Sequence, residues 1–200
     1  MKKRKKRRFP LVPLAMLALL AVLFVIVYPR MAARSQYPVR YEAEIRKAAE
    51  VYSLDPALLA AVARIESSYR ADARSYVGAL GLMQIMPETG AWIAEKRGER
   101  DAFTDEVLLD PETSLLYGGW YIRYLMDEFG GDFTCAVAAY HAGQGAVRKW
   151  LKDPAYSPDG RTLAAFPADA PKTGHYVSKV RKAYDYYCLL YTSDAADDMQ

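Results

Sequence analysis

The stretch LLAAVARIESSYRADARSYVGALGLMQ, from Leu58 to Gln84, decides the fold of this chain. Its first part is apolar on nearly every side, which predicts a helix at the centre of the core. Glu66 comes at the end of that helix and directly before a polar loop. Because burial raises the pKa of a carboxyl group, we expect Glu66 to hold a proton near neutral pH and to suit proton transfer.

The rest of the chain predicts further helices and no repeating strand pattern, so we expect an all-α domain. A short turn at 105–109, capped by Thr104, and a small irregular hairpin near Val77–Ile85 are also expected. The region from Lys152 to Thr173 contains four prolines and predicts an irregular surface loop. The predicted helices are Tyr41–Tyr52, Pro56–Ser67, Met86–Arg97, Asp110–Phe129, Asp132–His141, Ala146–Leu151 and Gly174–Tyr187.

Charge and cysteine content exclude several classes of function. The net charge is +3, but seven positive charges lie in Met1–Arg8, and without them the charge is −4. A mildly acidic body argues against nucleic acid as a partner. Only Cys135 and Cys188 are present, so the chain is not a disulfide scaffold, and the helical spacing predicts a buried Cys135. We find no metal-type Cys/His spacing and no phosphate-binding loop, so no metal or cofactor is expected.

The N-terminal region predicts a membrane anchor. The basic segment 1–8 precedes Phe9–Tyr28, twenty residues without a charge, which is the length that crosses a bilayer core. The basic cluster should stay in the cytoplasm, so everything after Tyr28, beginning with the linker 29–38, would lie outside. A cleaved signal peptide is the alternative, but its apolar core would be unusually long and Met31-Ala32-Ala33 is a poor cleavage site. We therefore expect an uncleaved, single-pass anchor in the cytoplasmic membrane.

The last residues, 188–200, read CLLYTSDAADDMQ and drop the helical pattern of the preceding segment. The string resembles the translation of a transposon-type sequencing adapter. We therefore expect a non-native tail after Tyr187.

Four segments occur in an order and on elements that together resemble the soluble lytic transglycosylases (the SLT, lysozyme-like family). The resemblance covers roughly Tyr41 to Tyr187. The segments are Ile65-Glu66-Ser67, Gly81-Leu82-Met83-Gln84-Ile85-Met86-Pro87, Ala139-Tyr140-His141-Ala142-Gly143 and His175-Tyr176-Val177.

The resemblance implies a goose-lysozyme-like helical domain at 39–187 and glycan strands of peptidoglycan as the substrate. It implies cleavage of the β-1,4 bond between N-acetylmuramic acid (MurNAc) and N-acetylglucosamine (GlcNAc), leaving 1,6-anhydroMurNAc ends. Glu66 matches the family's lone catalytic acid and base, Ser75 a serine that orients the substrate, and Tyr176 a tyrosine close to the acid. Met83 and Gln84 match a groove-lining pair, although Met83 could belong to the core and Gln84 could support its loop. Tyr140 matches the tyrosine of the family's Ala-Tyr-Asn-Ala-Gly motif.

Two positions depart from the family pattern. His141 stands where the family usually has asparagine; a neutral imidazole also donates and accepts hydrogen bonds, so it could keep the sugar contact or bond only to backbone. Many members carry Glu-Thr before the final Tyr-Val pair, and this chain has Lys172-Thr173-Gly174-His175 instead.

Glycosidases commonly use two carboxylates, but no second candidate lies near Glu66 in the sequence. Asp72 falls in the loop and Asp55 is expected to cap a helix, so the residues favour a single-carboxylate mechanism. A lysozyme-type hydrolase that uses water, and a wall-binding module without catalysis, remain as alternatives.

Overall fold

The computed structural model describes residues 16, 20–22, 24, 25, 37, 38 and 40–197, and for 192–197 the backbone only. The chain divides into two units, Met1–Pro38 and Val39–Gln200. The predicted anchor 9–28 lies mostly outside the described residues; those described within it are helical. Within the described part of the chain, no helix is long and apolar enough to span a membrane.

The second unit contains seven α-helices among its described residues, named here α1 to α7, and the predicted all-α class is confirmed. The 3-10 turn at Asp105–Leu109 was also predicted, whereas the one at Arg100–Ala102 was not. The α-helices are α1 Glu42–Val51, α2 Pro56–Ser67, α3 Pro87–Arg97, α4 Pro111–Glu128, α5 Phe133–Ala142, α6 Gln144–Trp150 and α7 Pro171–Asp197.

Helix α2 lies at the centre of the core and packs along α7. Asp55 caps its first turn by accepting a hydrogen bond from the Ala57 amide at 2.8 Å, and Pro56 fits the first helical position. Its residues 57–63 are all buried. The helix ends because Ser68 adopts a left-handed conformation, with φ of 55°. These features position Glu66 on the last turn.

The other helix ends follow the same local signals. Gly98 closes α3 in a left-handed conformation, and Asp110 and Asp132 cap α4 and α5 by accepting backbone hydrogen bonds. The expected Thr104 cap is wrong, because the Thr104 side chain makes no capping hydrogen bond to the 3-10 turn. Cys135 is fully buried, as predicted, and burial raises the pKa of its thiol to about 12.

Helix α7 differs most from the prediction. It begins at Pro171, three residues early, and runs to Asp197 instead of ending at Tyr187. The expectation that the helical pattern stops there is wrong: the segment after Tyr187 contains neither glycine nor proline up to Asp197, and Tyr191 packs beneath the Arg46 guanidinium, 4.7 Å from its ring centroid. The non-native origin of the tail stays a prediction, and sequencing the source locus would test it.

The loop between α2 and α3 contains no regular strand. Two isolated antiparallel bridges, Arg74 with Leu80 and Leu80 with Ile85, fold it back on itself, where a small hairpin was expected. Gly81 lies at the centre of this loop with φ of +74°, and a Cβ there would lie 1.8 Å from the Leu108 carbonyl oxygen. Only glycine allows this approach, which holds the loop against the body of the domain.

Candidate active site

Glu66 lies at the wall of a pocket, and its environment favours the protonated carboxyl. Burial raises its pKa to about 7 from an ordinary value of 4.5. The Tyr176 hydroxyl donates a 2.5 Å hydrogen bond to Oε1, which acts in the opposite direction by favouring the carboxylate. The result is a carboxyl group that gains and loses its proton near neutral pH, as a general acid and base requires.

Two tyrosines from distant parts of the chain surround this carboxyl group. The two residues are Tyr140 on α5 and Tyr176 on α7. Burial is the main reason that the pKa of each phenol lies well above its usual range, and the nearby negative charge of Glu66 raises both pKa values further. Both hydroxyls therefore remain donors. Tyr140 donates at 2.7 Å to the carbonyl of Met83, which ties α5 to the loop after α2.

Ser75 and Gln84 shape the loop beside the acid. The Ser75 hydroxyl accepts a 2.8 Å hydrogen bond from the Ala79 amide. Gln84 has φ of 47°, and its Nε2 donates to the carbonyls of Ala73 and Gly81 at 3.2 and 2.9 Å. The contacts that these two side chains make within the described structure thus support the loop, and Gln84 also reaches a pocket wall.

Met83 lies in the core behind the loop, which corrects the expectation that its side chain lines the groove. Its exposed fraction is 0%. A Cβ added to Gly118 of α4 would lie 2.6 Å from the Met83 side chain, so the absence of a side chain at Gly118 makes the room that Met83 fills. The Met83 amide also donates to Ser114 at 3.2 Å.

His141 lies at the end of α5 and lines two pockets. Its Nδ1 shares a 3.2 Å hydrogen bond with the Thr173 hydroxyl, and its ring centroid is 4.6 Å from that of Tyr176. Burial, and secondarily the charge of Lys172, lowers its pKa from the ordinary value, which favours the neutral ring. The partner at Thr173 is a side chain, not the backbone that one interpretation of the sequence expected.

Two pockets share His141 as a lining residue, and Glu66 lies at the wall of one of them. The Gln84 pocket has a volume of about 300 Å³, and the Glu66 pocket about 480 Å³. Sequence reasoning missed Thr89 and Tyr121 because they lie outside the recognised motifs. The Gln84 pocket is lined by residues that include Gln84, Ile85, Thr89, Tyr121, Tyr140 and His141. The Glu66 pocket is lined by residues that include Glu66, His141, Lys172, His175, Tyr176 and Lys179.

The family model described as the transglycosylase SLT domain matches residues 43–160, more than half of the chain. The chain belongs to the transglycosylase SLT domain family. The match contains Glu66, Tyr140 and His141. Helix α7 follows the matched residues and brings Tyr176 to the acid.

Curated relatives of this SLT domain include much longer proteins. The soluble lytic murein transglycosylase of Escherichia coli K12 is 35% identical over 162 residues, which are 80% of this chain and 24% of that protein. The membrane-bound lytic murein transglycosylase C of Actinobacillus pleuropneumoniae serotype 5b is 31% identical over 163 residues, covering 72% of this chain and 44% of the relative. The chain thus spans about a quarter of the length of the soluble relatives.

Solved structures confirm the lysozyme-like SLT fold. The 70 kDa soluble lytic transglycosylase of Escherichia coli superposes with a TM-score of 0.70 at 29% identity, over 80% of this chain and 26% of that one. An inactive glutamate-to-glutamine mutant of the lytic transglycosylase Slt from Pseudomonas aeruginosa gives a TM-score of 0.66 at 33% identity, over 78% and 25% of the two chains.

Proposed function

We propose that this protein is a peptidoglycan lytic transglycosylase. It cleaves the β-1,4 bond between MurNAc and GlcNAc and leaves 1,6-anhydroMurNAc ends. The observation that carries the proposal is the Glu66 carboxyl group, with its pKa of about 7, at the wall of a pocket and hydrogen-bonded to Tyr176. Relatives named lytic murein transglycosylases support it, as does the inactive glutamate-to-glutamine mutant of the lytic transglycosylase Slt from Pseudomonas aeruginosa.

Glu66 acts first as the acid and then as the base. The protonated carboxyl gives its proton to the glycosidic oxygen as the bond from that oxygen to C1 of MurNAc breaks, and GlcNAc leaves as the alcohol. The N-acetyl group of MurNAc stabilises the positive charge that develops at C1. The Glu66 carboxylate then takes the proton of the C6 hydroxyl while O6 attacks C1 and closes the anhydro ring. Because the nucleophile belongs to the substrate, proximity replaces a second carboxylate.

Tyr176 positions and tunes this acid. Its hydroxyl stabilises the carboxylate that exists between the two proton transfers, so it keeps the Glu66 pKa from rising further. A pKa near the working pH allows the same group to serve in both steps.

Four further residues act on the glycan, three by supporting the wall of the site and one by direct contact. They are Ser75, Gln84 and Tyr140 for the wall and His141 for the contact. Ser75 and Gln84 hold the loop that forms one wall, and Tyr140 fixes that loop to α5 through the Met83 carbonyl. His141 faces both pockets and offers a neutral ring nitrogen to a sugar hydroxyl or amide.

The protein is held in the cytoplasmic membrane by residues 9–28, with its N-terminus inside and the catalytic domain outside. The uncharged stretch behind a basic cluster supports this topology, as does a relative that is named membrane-bound. Fractionation of cells that express the full chain should find it in the membrane pellet, resistant to alkaline extraction. Release of the intact chain by alkali would contradict the anchor.

Replacing Glu66 by glutamine keeps the shape of the side chain but removes the proton donor. The full chain should solubilise purified sacculi, and Glu66→Gln should reduce the rate at least about 10²-fold, the scale of general acid catalysis. The control is Glu95→Gln, at an exposed position on α3. Near-wild-type digestion by Glu66→Gln would refute the assignment.

A further inference from the structure

The wall of the Glu66 pocket formed by α7 is basic. Lys172, His175 and Lys179 line it together with Tyr176, because spacings of three and four residues bring them to one face of the helix. The Lys172 ammonium is close enough to the groove for its charge to lower the pKa of His141.

Folding does not account for the two lysines on this wall. Both are exposed, and neither forms an ion pair with any residue that the structure describes. Lys172 also lies in the first turn of α7, where the positive end of the helix disfavours a cation. These positive charges therefore remain available to a ligand.

The surroundings make this wall distinctive. The chain without residues 1–8 has a net charge of −4. The two lysines therefore make this wall positively charged in a domain that is negatively charged as a whole. Glu66 is the one carboxyl group that lines the pocket, and its raised pKa keeps much of it neutral at pH 7. Complementarity of charge thus points to an anionic ligand next to the reacting sugar.

We propose that Lys172 and Lys179 bind carboxylates of the stem peptide carried by the MurNAc residue whose glycosidic bond is cleaved. The inference rests on the proposed function, which places C1 of that MurNAc at Glu66. The stem peptide is joined to the lactyl group of the same sugar, so it starts beside Glu66 and its free carboxylates can reach the neighbouring wall. Lysine ammonium groups suit this ligand because they are flexible point charges with three donors. The protein therefore cleaves strands that carry anionic stems in preference to strands whose stems are uncharged.

The test compares three soluble glycan substrates. The first carries native stem peptides, the second carries the same stems with their carboxyl groups converted to carboxamides, and the third has had its stems removed by an amidase, which leaves the lactyl carboxylate. The full-length protein is compared with Lys172→Met/Lys179→Met, which removes both charges and keeps much of the side-chain length. The matched control is Lys149→Met/Lys152→Met, at exposed positions on and just after α6.

We expect the wild-type protein to have a kcat/KM at least about fivefold higher on native than on amidated stems, in line with two partly exposed ion pairs. The ratio should fall towards one in Lys172→Met/Lys179→Met, should persist in the control, and should weaken as salt is added. A wild-type ratio of one, or a ratio that survives in the double variant, would overturn the inference while leaving cleavage intact. An equal loss by the double variant on stem-free strands would assign the lysines to the lactyl carboxylate and overturn the stem assignment. Cleavage of none of the substrates would overturn the proposed function and this inference with it.

Discussion

Glu66→Gln should make the protein more stable at alkaline pH although it lowers the cleavage rate at least about 10²-fold. The pKa of Glu66 is about 7 in the folded protein and 4.5 in its ordinary state, because folding buries the carboxyl group. Because the pKa of Glu66 is raised by folding, its contribution to the stability of the folded protein is complete below pH 4.5 and is lost as the pH rises through 7. Glutamine carries no charge and avoids this loss.

The size of the effect follows from the two pKa values. Their difference corresponds to about 3 kcal/mol of unfolding free energy at pH 8.5, as an upper limit, and to less than about 1 kcal/mol at pH 5. For a domain of this size, each kcal/mol raises the melting temperature by about 2–4 °C. The variant should therefore gain several degrees over wild type at pH 8.5 and little at pH 5.

Urea and thermal unfolding at both pH values measure this difference. Glu95→Gln, at an exposed site, should show no such growth with pH. Equal stability of Glu66→Gln and wild type at pH 8.5 would refute the reasoning, since it would mean that the carboxyl group is not desolvated.

Three further substitutions test the site. Tyr176→Phe removes the hydroxyl that stabilises the Glu66 carboxylate, so the alkaline limb of the pH profile of kcat/KM should move upwards by about one pH unit; a limb that stays in place would contradict the tuning role. Met83→Ala should cost about 2–5 kcal/mol in urea unfolding because it empties a fully buried site, and a loss well below 1 kcal/mol would show that the side chain is not in the core. His141→Asn should keep the cleavage rate at pH 7.5 within about threefold, because the neutral imidazole and a carboxamide both donate and accept hydrogen bonds. A loss above about tenfold would show that the imidazole, and its bond to Thr173, is required.

Local signals in the sequence predict most of the helices. Asp55-Pro56 and Asp110-Pro111 start helices where an aspartate cap and a proline predict them, and Gly98 ends one in the left-handed conformation that glycine favours. Such ends depend on neighbours in the chain, so they can be read from a few residues. The length of α7 could not be predicted in this way, because its continuation past Tyr187 depends partly on the packing of Tyr191 against Arg46 of α1, which is remote in the sequence.

The sequence predicts which residues belong to the candidate site, but it does not predict how deeply each one is buried or which side chains it contacts. The motifs brought Glu66, Tyr140 and Tyr176 into one hypothesis, and the structure brings these three together. The sequence left open whether Met83 lines the groove or lies in the core, because its burial depends on Gly118, a residue without a side chain on a distant helix. The Thr173 contact to His141 was missed for a similar reason, since it joins two segments that no local pattern relates.

The chemical step that distinguishes a transglycosylase from a lysozyme-type hydrolase is the attack of the C6 hydroxyl in place of water. Mass spectrometry of the muropeptides released from sacculi by the full-length protein measures it most directly. The single-acid mechanism at Glu66 predicts products lighter than the hydrated forms by one water molecule, released at least about 10²-fold more slowly by Glu66→Gln. Hydrated ends as the main product, or anhydro ends released by Glu66→Gln at a near-wild-type rate, would contradict the account.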